Sequence, residues 1–223
     1  MQVTAKSVFS DATVLCETQT RDIDTSHLNQ AQKHYLKGVS ENRQWEFTAG
    51  RLCAVQAIRG LGGSETEIPV GERGEPIWPK GFVGSITHTQ GYAAAAVALR
   101  SEVITVGIDA ETNDPVSDRA LRRIGTTEEL SWVESKRGLE FRNPGKLLFA
   151  AKEAVFKAWF PLEKKWLGFL DAQITFNEDD RSFDVEILKS KRLRRMSGMF
   201  FIDQDYLFTA IEILAGDLPN SYA

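Results

Sequence analysis

Cysteine and long apolar runs are scarce in this chain of 223 residues. Its two cysteines, Cys16 and Cys53, do not form a CxxC pair, which excludes a disulfide scaffold and predicts two small core residues in a reducing compartment. The longest apolar run, 92–99, is far shorter than the ~20 residues that a membrane-spanning helix needs. The N-terminal segment also lacks the apolar stretch of a signal peptide, so we expect a cytoplasmic protein with no membrane partner.

Excess positive charge and internal repeats are also lacking. The net charge is −4, whereas a general nucleic-acid binder is more often basic, so no nucleic-acid partner is expected. No period of roughly 20–50 residues recurs, which excludes solenoids and propellers. Apolar residues make up 42% and charged residues 26%, as in ordinary globular proteins. The length allows one large domain or two small ones.

The order of predicted elements indicates an α+β fold. Strands are predicted over 12–16, 83–88, 92–99, 103–108, 172–177, 182–188, 198–203 and 206–213. Helices are predicted over 41–61 and, in two or three pieces, over 117–160, the last piece covering 146–160. Gly62-Gly63 ends the first helix and Pro161 the last. Because helices and antiparallel strands are not in regular βα alternation, a doubly wound parallel sheet is not expected. A boundary near residue 101 divides the chain into 1–101 and 102–223.

Two acidic residues follow the apolar strand 103–108. Asp109 and Glu111 stand two positions apart, so in an extended backbone both side chains point to the same side. Two carboxylates held close together repel one another unless a cation lies between them, and Mg²⁺ favours such ligands while leaving positions open for phosphate oxygens. The alternative is a solvated strand end that leads into a turn at 113–115.

The last predicted helix carries three charged residues among apolar ones. Glu153 and Lys157 are four residues apart and share one helix face, whereas Lys152 lies about 100° around the helix from Glu153. A stabilising surface ion pair is one interpretation. The apolar surroundings favour another, because charged residues in an apolar helix need a partner or a chemical role.

A third group of polar residues surrounds His88, at the end of a predicted strand. The preceding loop carries Arg73 and Lys80, and a histidine with strand-end hydroxyls and an arginine nearby suits an anionic ligand. Arg43 and Arg51 on the first long helix are two turns apart and ~80° apart around its axis. The alternatives are a structural histidine and a solvated helix face.

The order of these signals resembles one family, the surfactin-type 4'-phosphopantetheinyl transferases, and within it the subgroup of enterobactin-synthetase component D. The family's motifs GxDxE and FxxKExxxK correspond here to residues 107–111 and 149–157. The subgroup's arginine-rich helix and its loop of the form GxPxWPxGxxGSxTH correspond to 43–51 and 74–88. The resemblance is strong over residues 40–160 and general elsewhere.

This resemblance implies an α+β pseudo-dimer of two similar halves with coenzyme A in the cleft between them. It also implies a reaction in which the 4'-phosphopantetheine arm of coenzyme A moves to a serine of an apo acyl or peptidyl carrier protein and adenosine 3',5'-bisphosphate leaves. We expect a monomeric enzyme. Siderophore, polyketide and fatty-acid synthases are all open as the source of the carrier.

The resemblance further implies roles for the charged residues of the two motifs. Asp109, Glu111 and Glu153 would ligate Mg²⁺, which grips the pyrophosphate, because phosphoryl transfer depends on positioning and on neutralised phosphate oxygens. Asp109 would also contact coenzyme A. Lys157 would stabilise the pyrophosphate and the leaving group, and Lys152 would be a second phosphate contact. Glu153 is the candidate general base, acting directly or through a metal-bound water.

The other end of coenzyme A is expected to meet the arginine-rich helix and the strand that ends in His88. His88, with Arg43 and Arg51, would hold the 3'-phosphate and the adenylate, and Ser85 and Thr87 would add hydroxyl donors.

The sequence leaves open the roles of two loops, and it allows two rival functions. Glu75 precedes Pro76 where the family places a basic residue, so either Arg73 or Lys80 is expected to contact coenzyme A instead. The basic run 189–195 is either a solvated hairpin or a patch for an acidic carrier protein. The rival functions are a module that binds coenzyme A without turnover and a magnesium-dependent nucleotide hydrolase.

Overall fold

The computed structural model describes residues 5–21, 23–138, 143–190, 193–203 and 205–217. The α-helices are α1 (Gln30–Tyr35), α2 (Glu41–Gly60), α3 (Asp118–Ile124), α4 (Thr127–Lys136) and α5 (Pro144–Glu163). The strands are β1 (Thr13–Gln19), β2 (Phe82–Thr89), β3 (Tyr92–Leu99), β4 (Val103–Thr112), β5 (Ala172–Asn177), β6 (Ser182–Ile187), β7 (Arg195–Ile202) and β8 (Tyr206–Leu214). This combination confirms the predicted α+β class.

No helix within these ranges is both long and apolar enough to cross a membrane.

The first sheet and α2 form one core. The strand order is β1-β3-β2 with antiparallel pairing, and β3 is central and buried, as its uninterrupted apolar sequence predicts. α2 packs across all three strands, and Ile58 and Val97 belong to the same buried apolar cluster. Both cysteines are free thiols: Cys53 is buried in this cluster, and Cys16 packs against it. Cys53 is therefore a core residue as predicted, whereas Cys16 is only partly buried.

The predicted bounds of α2 are close to those observed, because both ends carry local signals. The hydroxyl of Ser40 accepts a hydrogen bond from the amide of Arg43, which caps the first turn. Gly62, just beyond the last turn, has a φ of 85°, and the amide of Gly63 donates to the carbonyl of Ile58 at 2.9 Å. These caps hold the helix that carries Arg51.

The second sheet has the strand order β4-β8-β7-β6-β5, and its last four strands pair antiparallel as predicted. In β6 the buried residues Phe183, Val185 and Ile187 alternate with the exposed Asp184, so one face of the strand is in the core. α5 packs against α3, α4 and β5.

α5 extends beyond the predicted helix at both ends. It starts at Pro144, because a proline at the first helical position loses an N–H that would have no partner there. It also continues past Pro161, contrary to the prediction that this residue ends it. In the last turn a proline removes a single hydrogen bond, so the helix persists to Glu163 and ends where Lys164 adopts a left-handed φ of 53°.

The chain divides into two compact units inside β4, between Val106 and Gly107. One unit holds Gly107–Ile213 together with the chain up to Ser10, and the other holds Asp11–Val106 together with the chain from Leu214 onward. The predicted boundary near residue 101 lies in the turn before β4. The GxDxE motif and α5 thus belong to one unit, and α2 and β2 belong to the other.

Candidate active site

Gly107 lets β4 approach α5 closely enough for the two charged motifs to meet. A side chain at this position would overlap the backbone carbonyl of Ala154 in α5. Two residues further along β4, Oδ1 of Asp109 is 2.7 Å from Nζ of Lys157, which also donates to the carbonyl of Ile108 at 3.1 Å. The strand motif and the helix motif, which are predicted separately from the sequence, therefore form one cluster of charged side chains.

Glu111 pairs with a lysine that the sequence motifs do not include. Nζ of Lys146, in the first turn of α5, lies 3.2 Å from Oε2 of Glu111. Burial raises the pKa of the Glu111 carboxyl and the charge of Asp109 raises it further, while Lys146 lowers it. Spacing could have revealed this residue, because Lys146 precedes Glu153 by about two helical turns and lies on the same face of α5.

Glu153 lies between Lys146 and Lys157 along that face of the helix. Its carboxylate makes no hydrogen bond and no ion pair with any residue that the structure describes. Burial raises its pKa most, and the charges of Asp109 and Glu111 add to this, while Lys157 opposes them. A carboxylate with a raised pKa accepts protons more readily than an exposed glutamate, which is the property that a general base requires.

The three carboxylates fit a divalent cation in chemistry and in charge. Asp109 and Glu111 both raise the pKa of Glu153, so the three groups are close enough to repel one another. Hard oxygen ligands of this kind suit Mg²⁺. Across the described ranges, however, no group of three His, Cys, Asp or Glu side chains is arranged as a metal site. Instead the ammonium groups of Lys157 and Lys146 lie against Asp109 and Glu111.

Lys152 is not placed where a phosphate could reach it, which corrects the expected phosphate contact. Its ammonium lies 2.8 Å from Oε1 of Glu129, and both side chains are 1% exposed. Lys152 also donates to the carbonyls of Phe169, at 2.7 Å, and Ala172. Burial lowers its pKa while Glu129 raises it. Because Lys152 lies about 100° around the helix from Glu153, its side chain points into the core of this unit.

Glu129, the partner of Lys152, lies outside the motifs and has a structural role. Its Oε2 accepts the amide of Thr126 at 2.7 Å and its Oε1 accepts the amide of Ile174 at 2.6 Å, so it caps α4 and joins it to β5. The sequence signal for this arrangement is the capping box formed by residues 126–129.

In the other unit, His88 and Arg43 meet beside an acidic residue. A guanidinium nitrogen of Arg43 contacts the imidazole of His88 and lies 3.4 Å from Oε2 of Glu46, which is 3.3 Å from Nδ1 of His88. Glu46 belongs to the arginine-rich helix motif, but the sequence predicts no role for it. The structure therefore brings Arg43 and His88 together.

Arg51 is a buried cation in the same unit. It is 8% exposed, its guanidinium lies 4.0 Å from the centre of the Phe47 ring, and its Nε and Nη2 atoms have no hydrogen-bond partner in the described part of the chain. Burial lowers the pKa of Arg51 to about 10, Tyr35 opposes this shift and the nearby charge of Arg43 adds to it. A buried guanidinium with unused donors is costly unless an anion binds it.

The remaining predicted residues lie apart from this pair. Ser85 and Thr87 are buried, and the alternation along β2 directs them to the opposite face from His88. They are therefore not brought to the Arg43–His88 contact. Arg73 and Lys80 are both exposed in the segment between α2 and β2. In the basic run 189–195, residues 191 and 192 lie outside the described residues, and Lys189 pairs with Asp171 at 2.6 Å.

Two family models match this chain and together cover most of it. The model described as the 4'-phosphopantetheinyl transferase N-terminal domain matches residues 31–98, and that of the 4'-phosphopantetheinyl transferase superfamily matches residues 105–203. The chain belongs to the 4'-phosphopantetheinyl transferase superfamily. This phosphopantetheinyl transferase thus moves the 4'-phosphopantetheine arm of coenzyme A to a carrier protein.

Similarity to characterised relatives agrees with this membership. The 4'-phosphopantetheinyl transferase Npt of Nocardia iowensis is 42% identical over 154 residues, which are 69% of this chain and 68% of the relative. The transferase PptT of Mycobacterium tuberculosis is 38% identical over 185 residues, which are 78% of this chain and 81% of the relative. Enterobactin synthase component D of Escherichia coli is 36% identical over 147 residues, which are 63% and 66% of the two chains. Relatives named as 4'-phosphopantetheinyl transferases and a relative named as a synthase component therefore agree with the family models.

Proposed function

We propose that this phosphopantetheinyl transferase is a magnesium-dependent, cytoplasmic enzyme of the surfactin type that modifies a serine of an apo acyl or peptidyl carrier protein. The observation that carries the proposal is the cluster of Asp109, Lys157 and Glu153, in which the two charged motifs meet. In the reaction, the serine oxygen bonds to the phosphorus that bears the pantetheine arm. The bond from that phosphorus to the bridging oxygen of the pyrophosphate breaks, and adenosine 3',5'-bisphosphate leaves.

Charge neutralisation on the pyrophosphate is the first requirement of this reaction. Mg²⁺, held by Asp109, Glu111 and Glu153, would supply it when bound, because a divalent cation offsets the negative charge of the phosphate oxygens. Lys157 contributes a second positive charge from α5. Its contact with Asp109 and with the carbonyl of Ile108 orients the ammonium toward the end of β4.

Removal of the serine proton is the second requirement. Glu153 is the best-placed group, because burial and the neighbouring carboxylates raise its pKa and it has no described partner to release. A water molecule held by Asp109 is the alternative base. A glutamine at position 153 distinguishes the two, because it keeps the size of the side chain but cannot accept a proton.

Recognition of the 3'-phosphate is assigned to the other unit. Arg51 offers buried donors that no described residue uses, and Arg43 lies against the imidazole of His88. Charge-assisted hydrogen bonds from such groups select phosphate over neutral ligands. Either Arg73 or Lys80, both exposed, would reach a phosphate from the loop before β2.

The proposal is tested by incubating the protein with coenzyme A, Mg²⁺ and a panel of apo carrier proteins, with intact-protein mass spectrometry as the readout. A mass gain of one phosphopantetheine on the carrier, lost when EDTA replaces Mg²⁺, is the expected result. Release of adenosine 3',5'-bisphosphate without modification of any carrier would favour hydrolysis instead. Binding of coenzyme A without either product would favour a module that lacks turnover.

Variants test whether the cluster of Asp109, Lys157 and Glu153 carries the transfer activity. Asp109→Asn should abolish transfer and leave the folded state intact, because a carboxylate is lost from a strand end and the side chain keeps its size. Asp118→Asn removes a surface partner of Arg137 in the same unit and serves as the control. Wild-type transfer by Asp109→Asn would contradict the assignment of this carboxylate.

A further inference from the structure

Lys146 occupies a position in α5 where a lysine does not stabilise the helix. It is the third residue after the cap Asn143, and the first turn of α5 contains no acidic residue. The partial positive charge at a helix N-terminus disfavours a cation there, and an acidic residue is preferred at this position. A lysine here therefore requires an anionic partner outside the helix.

That partner is Glu111, and the pair is largely removed from solvent. The two side chains are 17% and 21% exposed, so water screens their interaction less than it screens a surface ion pair. A further contact fixes the start of α5 beside the end of β4: Nδ2 of Asn143 donates to Oδ1 of Asn113 at 3.0 Å. The contact between Asn143, at the start of α5, and Asn113, just after β4, thus helps to hold Lys146 next to Glu111.

The charge of the cluster depends on this residue. Asp109, Glu111 and Glu153 contribute three carboxylates, and Lys146 and Lys157 contribute two ammonium groups. Without Lys146 the cluster gains one unit of negative charge, and Glu111 loses the group that lies against its carboxylate. Both changes favour a divalent cation, because it would meet more negative charge and would displace no ammonium group from Glu111.

We propose that Lys146 is an internal competitor of the divalent cation for Glu111. The ammonium holds this carboxylate when no cation is bound and gives it up when one binds, so the residue weakens cation binding and keeps Glu111 oriented in the cation-free enzyme. The inference rests on the proposed magnesium site and adds to it a residue that sets the affinity of that site.

The test measures Mn²⁺ binding to the coenzyme A-free protein by electron paramagnetic resonance of the free ion, which needs no turnover. Lys146→Met should bind Mn²⁺ roughly tenfold more tightly than the wild type, and Lys146→Arg should stay near the wild type because it keeps the charge. Lys136→Met is the matched control: it removes the lysine of another ion pair in the same unit, 2.6 Å from Glu178, and changes the net charge equally.

A second readout is thermal stability with and without Mn²⁺. Lys146→Met should melt at a lower temperature than the wild type without the cation, because Glu111 loses its partner, and should gain more than the wild type when the cation is added. Equal or weaker Mn²⁺ affinity in Lys146→Met, with a normal wild-type affinity, would overturn the role of Lys146 alone. Absence of binding in both proteins would overturn the magnesium site as well, whereas binding by Lys146→Met alone would support the competition.

Discussion

Nζ of Lys152 lies 2.8 Å from Oε1 of Glu129 in the interior of one unit, while the adjacent Glu153 lies near the carboxylates of β4. Two adjacent residues of α5 therefore have different roles: Lys152 belongs to a structural ion pair, and Glu153 belongs to the proposed catalytic cluster. The pair ties α5 to the start of α4 and to β5, since Glu129 also accepts the amides of Thr126 and Ile174. We infer that it holds the helix so that Glu153 and Lys157 stay beside β4.

The role of Lys152 predicts a specific pattern of stability. Lys152→Met alone should destabilise the protein by about 3–5 kcal/mol, because it leaves the Glu129 charge buried without its partner. The double variant Glu129→Leu with Lys152→Met should recover much of that loss, since a buried pair is replaced by apolar side chains. Chemical denaturation measures both. Coenzyme A affinity in the double variant should match the wild type, and a large loss of affinity would restore Lys152 as a phosphate contact.

The close approach of β4 to α5 at Gly107 leads to a prediction about stability and activity. Gly107→Ala should destabilise the protein by roughly 1–3 kcal/mol, because its Cβ would overlap the carbonyl of Ala154 and force the helix away from the strand. Transfer should fall as well, since the Asp109–Lys157 contact spans the same gap. Gly60→Ala is the control: an added Cβ there meets only Val14 at 3.6 Å. A wild-type melting temperature for Gly107→Ala would show that the approach is not needed.

The raised pKa of Glu153 predicts that this residue lowers stability at neutral pH. Because its pKa in the folded protein exceeds the ordinary value of 4.5, the folded state binds the proton more tightly than the unfolded state. Its favourable contribution is complete below pH 4.5 and is lost as pH rises through the raised pKa. With the cation removed by EDTA, Glu153→Gln should therefore melt at a higher temperature than the wild type near pH 7.5.

The same variant separates stability from catalysis. The difference in melting temperature should shrink toward pH 4. Above the raised pKa of Glu153, where the wild type has an ionised base, the single-turnover transfer rate of Glu153→Gln should be lower by ~10²-fold or more, as expected for loss of a general base. Glu102→Gln, at an exposed turn, controls for the loss of one charge. A lower melting temperature for Glu153→Gln near pH 7.5 would contradict the raised pKa.

Arg51 predicts opposite effects on stability and on ligand binding. Arg51→Met should stabilise the ligand-free protein, because it removes a buried guanidinium with unused donors while keeping apolar contact with Phe47. It should also weaken coenzyme A binding by about 1.5–3 kcal/mol, the value of a lost charge-assisted hydrogen bond. Calorimetry with coenzyme A and with dephospho-coenzyme A should show that the loss is confined to the ligand with the 3'-phosphate.

Two controls accompany this measurement. Arg59→Met changes an exposed arginine on the same helix and should leave both affinities unchanged. His88→Ala should reproduce the selectivity of Arg51→Met, because Arg43 and His88 are assigned to the same phosphate. Equal losses for the two ligands would return both residues to a structural role.

Local signals in the sequence predict most of the elements, though not α1, and the residue types of the site. Ser40 and Gly62 mark the ends of α2, and the spacing of Glu153 and Lys157 places them on one helix face, since caps and helical periodicity are local properties of the chain. The α+β class follows from the order of strands and helices for the same reason. Pro161 shows the limit of such local rules, because a proline in the last turn costs too little to end α5.

The contacts between charged residues, in contrast, depend on how distant segments of the chain pack together. Periodicity gives the angle between Lys152 and Glu153, but the packing of α5 against α4 and β5, and its close approach to β4 at Gly107, determine which of them is buried. The contact of Lys146 with Glu111 and the burial of Arg51 likewise depend on segments that are distant in the sequence. The free energy of a charge depends on its solvent exposure and on its nearest partner, and both are set by the fold rather than by neighbours along the chain.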